Sequence, residues 1–140
     1  KYLLLKMDYN KLCDEILKIN PKIRFAGVYN TQINQVYYKM QKGVTRYLDE
    51  EQTKGSLIKA YMRWKTRGAL SNEIGEPIYS LTKYEKVSRA TMQCGKDALL
   101  MVSTENELDI NEILNDVIKL KEKHDDKLYE KGIRQPGLSF

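Results

Sequence analysis

Apolar residues recur at a helical period near the start of the chain, then give way to β-rich runs and to a second helical pattern. The first helical positions are Leu12, Ile16, Leu17 and Ile19. They predict a short helix that follows a cap at Asn10 and ends before Pro21, because the residue preceding a proline avoids helical backbone. Residues 23–29 and 36–40 are rich in β-branched and aromatic side chains and flank a polar joint, which predicts a hairpin. A long helix is expected over residues 49–70, since acidic residues occupy its first turn and a cation and a glycine lie near its end.

From residue 78 the apolar period changes to two, and short polar connections divide the chain into three runs. Residues 78–84, 87–94 and 98–103 predict three antiparallel strands in a meander. The third run is apolar at successive positions, so we place it at the centre of the sheet, covered on both faces. Asp109 is expected to cap a last amphipathic helix. Its apolar positions are Ile110, Ile113, Leu114, Val117 and Ile118.

These elements follow one another without a break, which indicates a single α+β domain with the order αββαβββα. A chain of 140 residues with 41% hydrophobic side chains is long enough to bury one core. We expect residues 1–8 to be an N-terminal extension, residues 9–123 to be the domain, and residues 124–140 to be a polar C-terminal tail. No stretch approaches the roughly 20 apolar residues that a spanning helix requires, so no membrane association is expected.

Charge is distributed unevenly along the chain. The formal net charge is +5, and residues 1–70 carry 14 basic and 6 acidic side chains, whereas residues 71–140 carry 10 and 13. Such asymmetry directs a chain toward an acidic protein, nucleic acid or another copy of itself, although a solvated surface also accounts for it. Cys13 and Cys94 form no paired motif and no signal-peptide pattern is present, so we expect a reducing, cytoplasmic location.

Side chains able to do catalytic chemistry are few and isolated. His124 is the single histidine and lies in a charged segment, where we expect a solvated side chain rather than a general base. Neither cysteine has a histidine near it in sequence, and both thiols are expected to be buried or idle. No glycine-rich phosphate loop is present, and the acidic residues at 49–51 and 105–107 suit helix dipoles better than a metal ion. We therefore expect no catalytic residue, no cofactor and no metal, and a protein that is not an enzyme.

The element order resembles that of the roadblock (dynein light-chain) domains and of the related longin and profilin-like domains. The resemblance covers about residues 9–123, and it depends on the hairpin formed by residues 25–28 and 36–37 and on the apolar strand at 98–103. Residues 12–28 also resemble an uncharacterised family of archaeal domains. The roadblock resemblance implies one five-stranded antiparallel sheet, with the first and last helices on one face and the long helix on the other. It further implies pairing through the long helix and the adjoining edge strand, and a small GTPase or another signalling protein as partner.

Two apolar stripes follow the long helix on a helical wheel. The first stripe holds Leu48, Gly55, Ile58, Met62 and Ala69, and the second holds Leu57, Tyr61, Trp64 and Gly68. A helix that lies on the sheet of a monomer needs only one stripe, so we assign Leu57, Tyr61 and Trp64 to a homodimer or partner interface, where tryptophan and tyrosine are enriched. The alternative is one wide buried face crossed by the extended side chains of Lys54 and Lys65.

A basic ridge, formed by Lys59, Arg63 and Arg67, runs along the same helix at intervals of four residues. These cations suit an acidic protein or phosphate groups, and a solvated helix face also accounts for them. We predict a non-enzymatic interaction or scaffold module that acts as a homodimer and regulates a small GTPase or another signalling partner. The alternatives are a small-ligand sensor with a closed pocket lined by Phe25, Tyr38 and Met92, and nucleic-acid binding through the basic ridge.

Overall fold

A computed structural model describes the backbone of residues 8–130 and the side chains of residues 8–124. Most of the predicted N-terminal extension and the last ten residues of the predicted tail lie outside the described residues. None of the described helices is both long enough and apolar enough to cross a membrane.

The first helix, α1, comprises Tyr9–Leu17 and begins two residues before the predicted start. Asp8 is its cap, because the carboxylate Oδ1 of Asp8 accepts a hydrogen bond from the backbone N–H of Lys11 at 3.0 Å. The predicted cap, Asn10, therefore lies in the first turn instead. The helix turns Leu12, Cys13 and Ile16 into the core.

Five antiparallel strands form a single sheet. They are β1 (Ile23–Asn30), β2 (Gln35–Met40), β3 (Ser80–Lys83), β4 (Val87–Gln93) and β5 (Ala98–Glu105). Their spatial order is β2-β1-β5-β4-β3, so β2 and β3 are the two edges. β5 pairs with both β1 and β4, and each of its first seven residues is buried. The predicted central position of this strand is confirmed.

The long helix, α2, comprises Glu50–Arg67 and begins with a capping box. The Asp49 carboxylate accepts a hydrogen bond from the backbone N–H of Gln52 at 2.7 Å, and the Gln52 side chain accepts one from the backbone N–H of Asp49 at 3.0 Å. A 3₁₀ turn at Gly68–Leu70 and a short helix, α3 (Ser71–Ile74), follow it. The predicted end at residue 70 is therefore a change of helical type rather than the end of the helical segment.

The last helix, α4, comprises Asn111–Glu130 and continues past the predicted domain boundary at residue 123. His124 is only 3% exposed, and its Nε2 lies 2.8 Å from Oε1 of Glu15 in α1. The expectation of a solvated His124 is wrong, and the helix continues through the first seven residues of the predicted tail. This contact was not predictable from the sequence, because its partner lies more than one hundred residues earlier in the chain and the residues around His124 are charged.

The helices lie on both faces of the sheet, as the resemblance implies. α1 packs on β1 and β2 with α4 beside it, whereas α2 packs on β1 and β5. On β4, Ser88, Ala90 and Met92 are buried, while the alternate side chains that face α2 are only partly covered. The predicted fold class is confirmed, and the α2 side of β4 and β3 is left open beside the helix.

Candidate functional site

The stripe of α2 that was predicted to form a partner interface lies against the sheet instead. Leu57 and Trp64 are buried in the core of the chain, and the Trp64 indole Nε1 donates a hydrogen bond to Oε1 of Gln93 at 3.0 Å. Tyr61 is half-buried and makes an edge-to-face contact with Tyr29 of β1. The assignment of these side chains to a partner interface is therefore corrected: they attach α2 to its own sheet. A helical wheel shows two stripes but does not show which one the sheet covers.

Exposed apolar side chains concentrate in one segment, between the second half of α2 and the end of β3. Seven of the nine large hydrophobic residues that are exposed among the described residues fall here, and they are Met62, Leu70, Ile74, Ile78, Tyr79, Leu81 and Tyr84. Met62 is 62% exposed and Ile74 is 81% exposed. Large apolar patches on a soluble domain mark interaction surfaces more often than chance exposure does. We call residues 62–84 the apolar segment.

A groove of about 970 Å³ lies between the first half of α2 and the sheet. Phe25, Met40 and Met101 contribute apolar lining from β1, β2 and β5, and Leu48 and Val87 add to it. The remaining walls come from α2, from β4, and from the connections between β2 and α2 and between β3 and β4. Its charged lining consists of Arg24, Arg46, Lys59, Arg63, Lys86 and Arg89 together with Asp49, Glu51 and Glu85. Six cationic side chains against three acidic ones make the groove basic.

Two arginines of the groove are held in position by neutral groups. The Nη1 of Arg89 donates a hydrogen bond to Oγ of Ser56 at 2.7 Å, and its guanidinium lies 5.4 Å from the ring centre of Tyr84. Arg46 donates to the backbone oxygen of Leu48 at 3.0 Å and to Oγ1 of Thr53, also at 3.0 Å. These contacts restrict both guanidinium groups without neutralising their charge.

The groove cations differ in how their charge is balanced. Arg24 forms an ion pair with Glu105 at 2.9 Å. Among the described residues, no carboxylate lies at ion-pair distance from the other five, which are Arg46, Lys59, Arg63, Lys86 and Arg89. The Nε of Arg89 is shielded from solvent and has no hydrogen-bond acceptor within the described part of the chain. The chain therefore concentrates positive charge here without supplying its counter-charge.

Two of the three residues of the basic ridge predicted from sequence line this groove. Lys59, Arg63 and Arg67 are all exposed, and Lys59 and Arg63 line the groove itself. Sequence reasoning missed Arg46, Lys86 and Arg89, because they belong to two loops and a strand that only the tertiary fold brings beside α2. The sequence held one sign of the role of Arg89. It is a cation in a strand of alternating apolar and polar residues, which indicates that the strand face carrying it is not fully covered by the core. Nucleic-acid binding by the ridge stays a prediction.

The closed pocket expected for a ligand sensor does not coincide with this groove. Phe25 lines the groove, as expected. Tyr38 stacks on Phe25 at a ring-centre distance of 5.5 Å and does not line it. Met92 is fully buried and points to the opposite face of the sheet from Gln93, which bonds to Trp64 of α2.

The cysteines are placed where a nucleophile would be inactive. Cys13 and Cys94 are both buried, which confirms the prediction of buried thiols. Burial raises the pKa of the Cys13 thiol to about 12, and the neighbouring Asp14 acts in the same direction. Within the described residues, no three acidic, histidine or cysteine side chains are grouped closely enough to hold a metal ion.

Comparison with known proteins relates the chain to others through structure and not through sequence. No model of a protein family matches the chain, and no curated protein is detectably similar to it in sequence. Among solved structures, a roadblock/LC7 domain from Streptomyces avermitilis superimposes with a TM-score of 0.69 and 13% identity, covering 87% of this chain and 98% of that one. Myxococcus xanthus MglB gives 0.66 and 17%, covering 88% and 95%. MglB described in a tetrameric arrangement gives 0.69 and 13%, covering 93% and 96%.

These matches span nearly the whole of each relative, so they concern the complete domain rather than a shared fragment. Identities below one in five residues establish the architecture alone. The five-stranded sheet, with α1 and α4 on one face and α2 on the other, is the fold of the roadblock/LC7 domains.

Proposed function

We propose that the chain is a non-enzymatic interaction module that works as a homodimer and scaffolds a signalling partner. The observation that carries the proposal is the apolar segment, residues 62–84, in which exposed large side chains follow one another from α2 into β3. Hiding such side chains in a second copy removes apolar area from water, at roughly 25 cal/mol per Å². The tetrameric arrangement described for MglB, which shares the fold, supports self-association.

The edge strand β3 adds a second argument for pairing. The backbone N–H of Tyr84 donates to the carbonyl oxygen of Val87, so the backbone groups of alternate residues in β3 point toward β4. The groups of Leu81 and Lys83 then point away from the sheet, where another strand can join. The free edge therefore lies within the same segment as the exposed apolar side chains.

The oligomeric state tests this proposal directly. We expect the wild-type chain at micromolar concentration to elute as a dimer in size-exclusion chromatography with light scattering. Ile74→Asp should elute as a monomer with an unchanged circular dichroism spectrum, because Ile74 is 81% exposed and contributes little to the core. Ile33→Asp is the matched control, since Ile33 is exposed at the opposite end of the sheet, in the turn between β1 and β2. A monomeric wild type, or equal dimerisation by both variants, refutes the proposal.

We propose further that the partner is a small GTPase or another acidic protein. The fold and the basic first half of the chain support this choice. The test is calorimetric titration with purified small GTPases of the source organism, each loaded with GDP or with a non-hydrolysable GTP analogue. Binding that depends on the nucleotide supports a regulatory module. Failure of every GTPase to bind rejects this part and leaves the dimer result standing.

A further inference from the structure

The groove between α2 and the sheet has the composition of a binding site for a small molecule. Its volume of about 970 Å³ lies within the range usual for ligand sites. Its lining combines apolar side chains from three strands with six cationic side chains. Ligand sites combine these two features, because apolar contact provides affinity and a few placed polar groups provide orientation.

From these features we infer that the groove binds a small organic phosphate, with the phosphate on the cations and an apolar or aromatic body on Phe25, Met40 and Met101. The inference is independent of the proposed homodimer, since it depends on side chains of one chain only. It differs in position from the closed pocket considered from sequence, since Phe25 lines the groove but Tyr38 and Met92 do not.

The charge balance favours a phosphate over a single carboxylate. Five of the groove cations have no carboxylate partner among the described residues, whereas Arg24 is paired with Glu105. A phosphate monoester carries up to two negative charges near neutral pH and three acceptor oxygens, so it can engage several cations at once. Of the three acidic residues in the lining, Asp49 already accepts a hydrogen bond from the backbone N–H of Gln52 as the cap of α2.

The arginines are also ordered before any ligand arrives. Ser56 and Tyr84 hold Arg89, while Leu48 and Thr53 hold Arg46. Side chains that are already fixed lose less conformational entropy when they bind, and this increases affinity. The Nε of Arg89 is buried and has no acceptor in the described part of the chain, so a nearby anion would compensate a charge that the protein leaves unbalanced.

The test is calorimetric titration of the full chain with three probes: phenyl phosphate, AMP and orthophosphate. We expect phenyl phosphate or AMP to bind saturably and more tightly than orthophosphate, and to bind more weakly as salt concentration rises. Absence of saturable binding by both organic phosphates at millimolar concentration overturns the inference. Binding of orthophosphate as tight as that of the organic phosphates also overturns it, because the apolar lining would then contribute nothing.

Paired variants locate the site. Lys59→Gln with Lys86→Gln removes two exposed cations from the groove, and we expect affinity to fall by about tenfold or more. Lys119→Gln with Lys123→Gln removes the same charge from exposed positions on α4, beside α1 on the other face, and should leave affinity within about twofold. Equal losses in the two double variants would show non-specific attraction to a basic protein and would overturn the inference. Circular dichroism checks that each variant is folded.

Discussion

Gly27 lies in β1, directly beneath the ring of Phe25. A Cβ added at this position would lie 2.6 Å from Cζ of Phe25 and 3.1 Å from Cβ of Tyr38. The Phe25 ring borders the groove, but moving it aside would break its stacking on Tyr38, and the Tyr38 Cβ would stay close to the added methyl group. The close approach of this ring explains why β1 has a glycine in the middle of a buried strand.

We expect Gly27→Ala to lower the free energy of unfolding by about 1–3 kcal/mol through overpacking. Gly55→Ala is the matched control, because a Cβ at Gly55 meets no atom within 4 Å and alanine is the better residue inside a helix. That control should be neutral or more stable by about 0.5–1 kcal/mol. Urea denaturation measures both values, and an equally stable Gly27→Ala variant would contradict the packing argument.

Cys13 provides a chemical prediction at the same scale. With its pKa raised to about 12 by burial, the thiol is almost wholly protonated at pH 8, and only the thiolate is a good nucleophile. Iodoacetamide should therefore label Cys13 far more slowly in the native chain than in denaturant, as measured by mass spectrometry of the peptide containing it. Labelling of native Cys13 at the rate of a free thiol would contradict the buried placement.

A buried contact between Glu15 and His124 joins α1 to α4. The side chain of His124 is 2% exposed, and its Nε2 lies 2.8 Å from Oε1 of Glu15. The hydrogen bond from His124 lowers the pKa of the Glu15 carboxyl below its ordinary value of 4.5, with the charge on His124 acting in the same direction and burial acting against it. The two terminal helices are thus joined by a pair that depends on pH.

The sign of the pH effect follows from the lowered pKa. A carboxyl that binds its proton less readily in the folded chain stabilises the fold above its unfolded pKa, near pH 4.5, and this contribution is lost as pH falls through the folded pKa. Glu15→Gln should therefore cost about 1–2 kcal/mol near neutral pH, and the difference from wild type should shrink as pH falls below 4.5. Denaturation at several pH values measures this difference. Glu122→Gln, an exposed position on α4, is the control. A difference for Glu15→Gln that does not vary with pH would contradict the assignment.

At the scale of the whole molecule, the cover over the sheet decreases from its centre to one edge. β1 and β5 are buried on both faces, whereas β4 is partly covered on the α2 side and three of the four residues of β3 are exposed. Local opening is easiest where burial is least.

We expect hydrogen exchange to follow this order, with amides of β1 and β5 exchanging only through global unfolding and those of β3 through local opening. If β3 joins two copies, protection of its amides should rise with protein concentration, while protection in β5 stays constant. Mass spectrometry after exchange at several concentrations measures this. Equal protection of β3 and β5 in a monomeric sample would contradict the gradient.

Periodicity predicted the order of the elements, the hairpin and the central apolar strand, because each of these depends on residues that are close in sequence. The face of α2 that meets the sheet was not predictable in the same way, since both stripes are apolar and Trp64 suits a core as well as an interface. The groove could not be predicted from the sequence, for a different reason. Its cations come from α2, from β4 and from two separate connections, and only the packing of α2 over β1 and β5 brings them together.

The fluorescence of Trp64 reports on the position of α2. Trp64 is the sole tryptophan of the chain, so the intrinsic fluorescence excited at the indole band comes from one side chain between α2 and the sheet. A buried indole emits at shorter wavelength than one in water, and displacement of α2 would break its bond to Gln93 and shift the emission to the red. The emission wavelength of the native protein therefore reports whether α2 is packed against the sheet, without any added label.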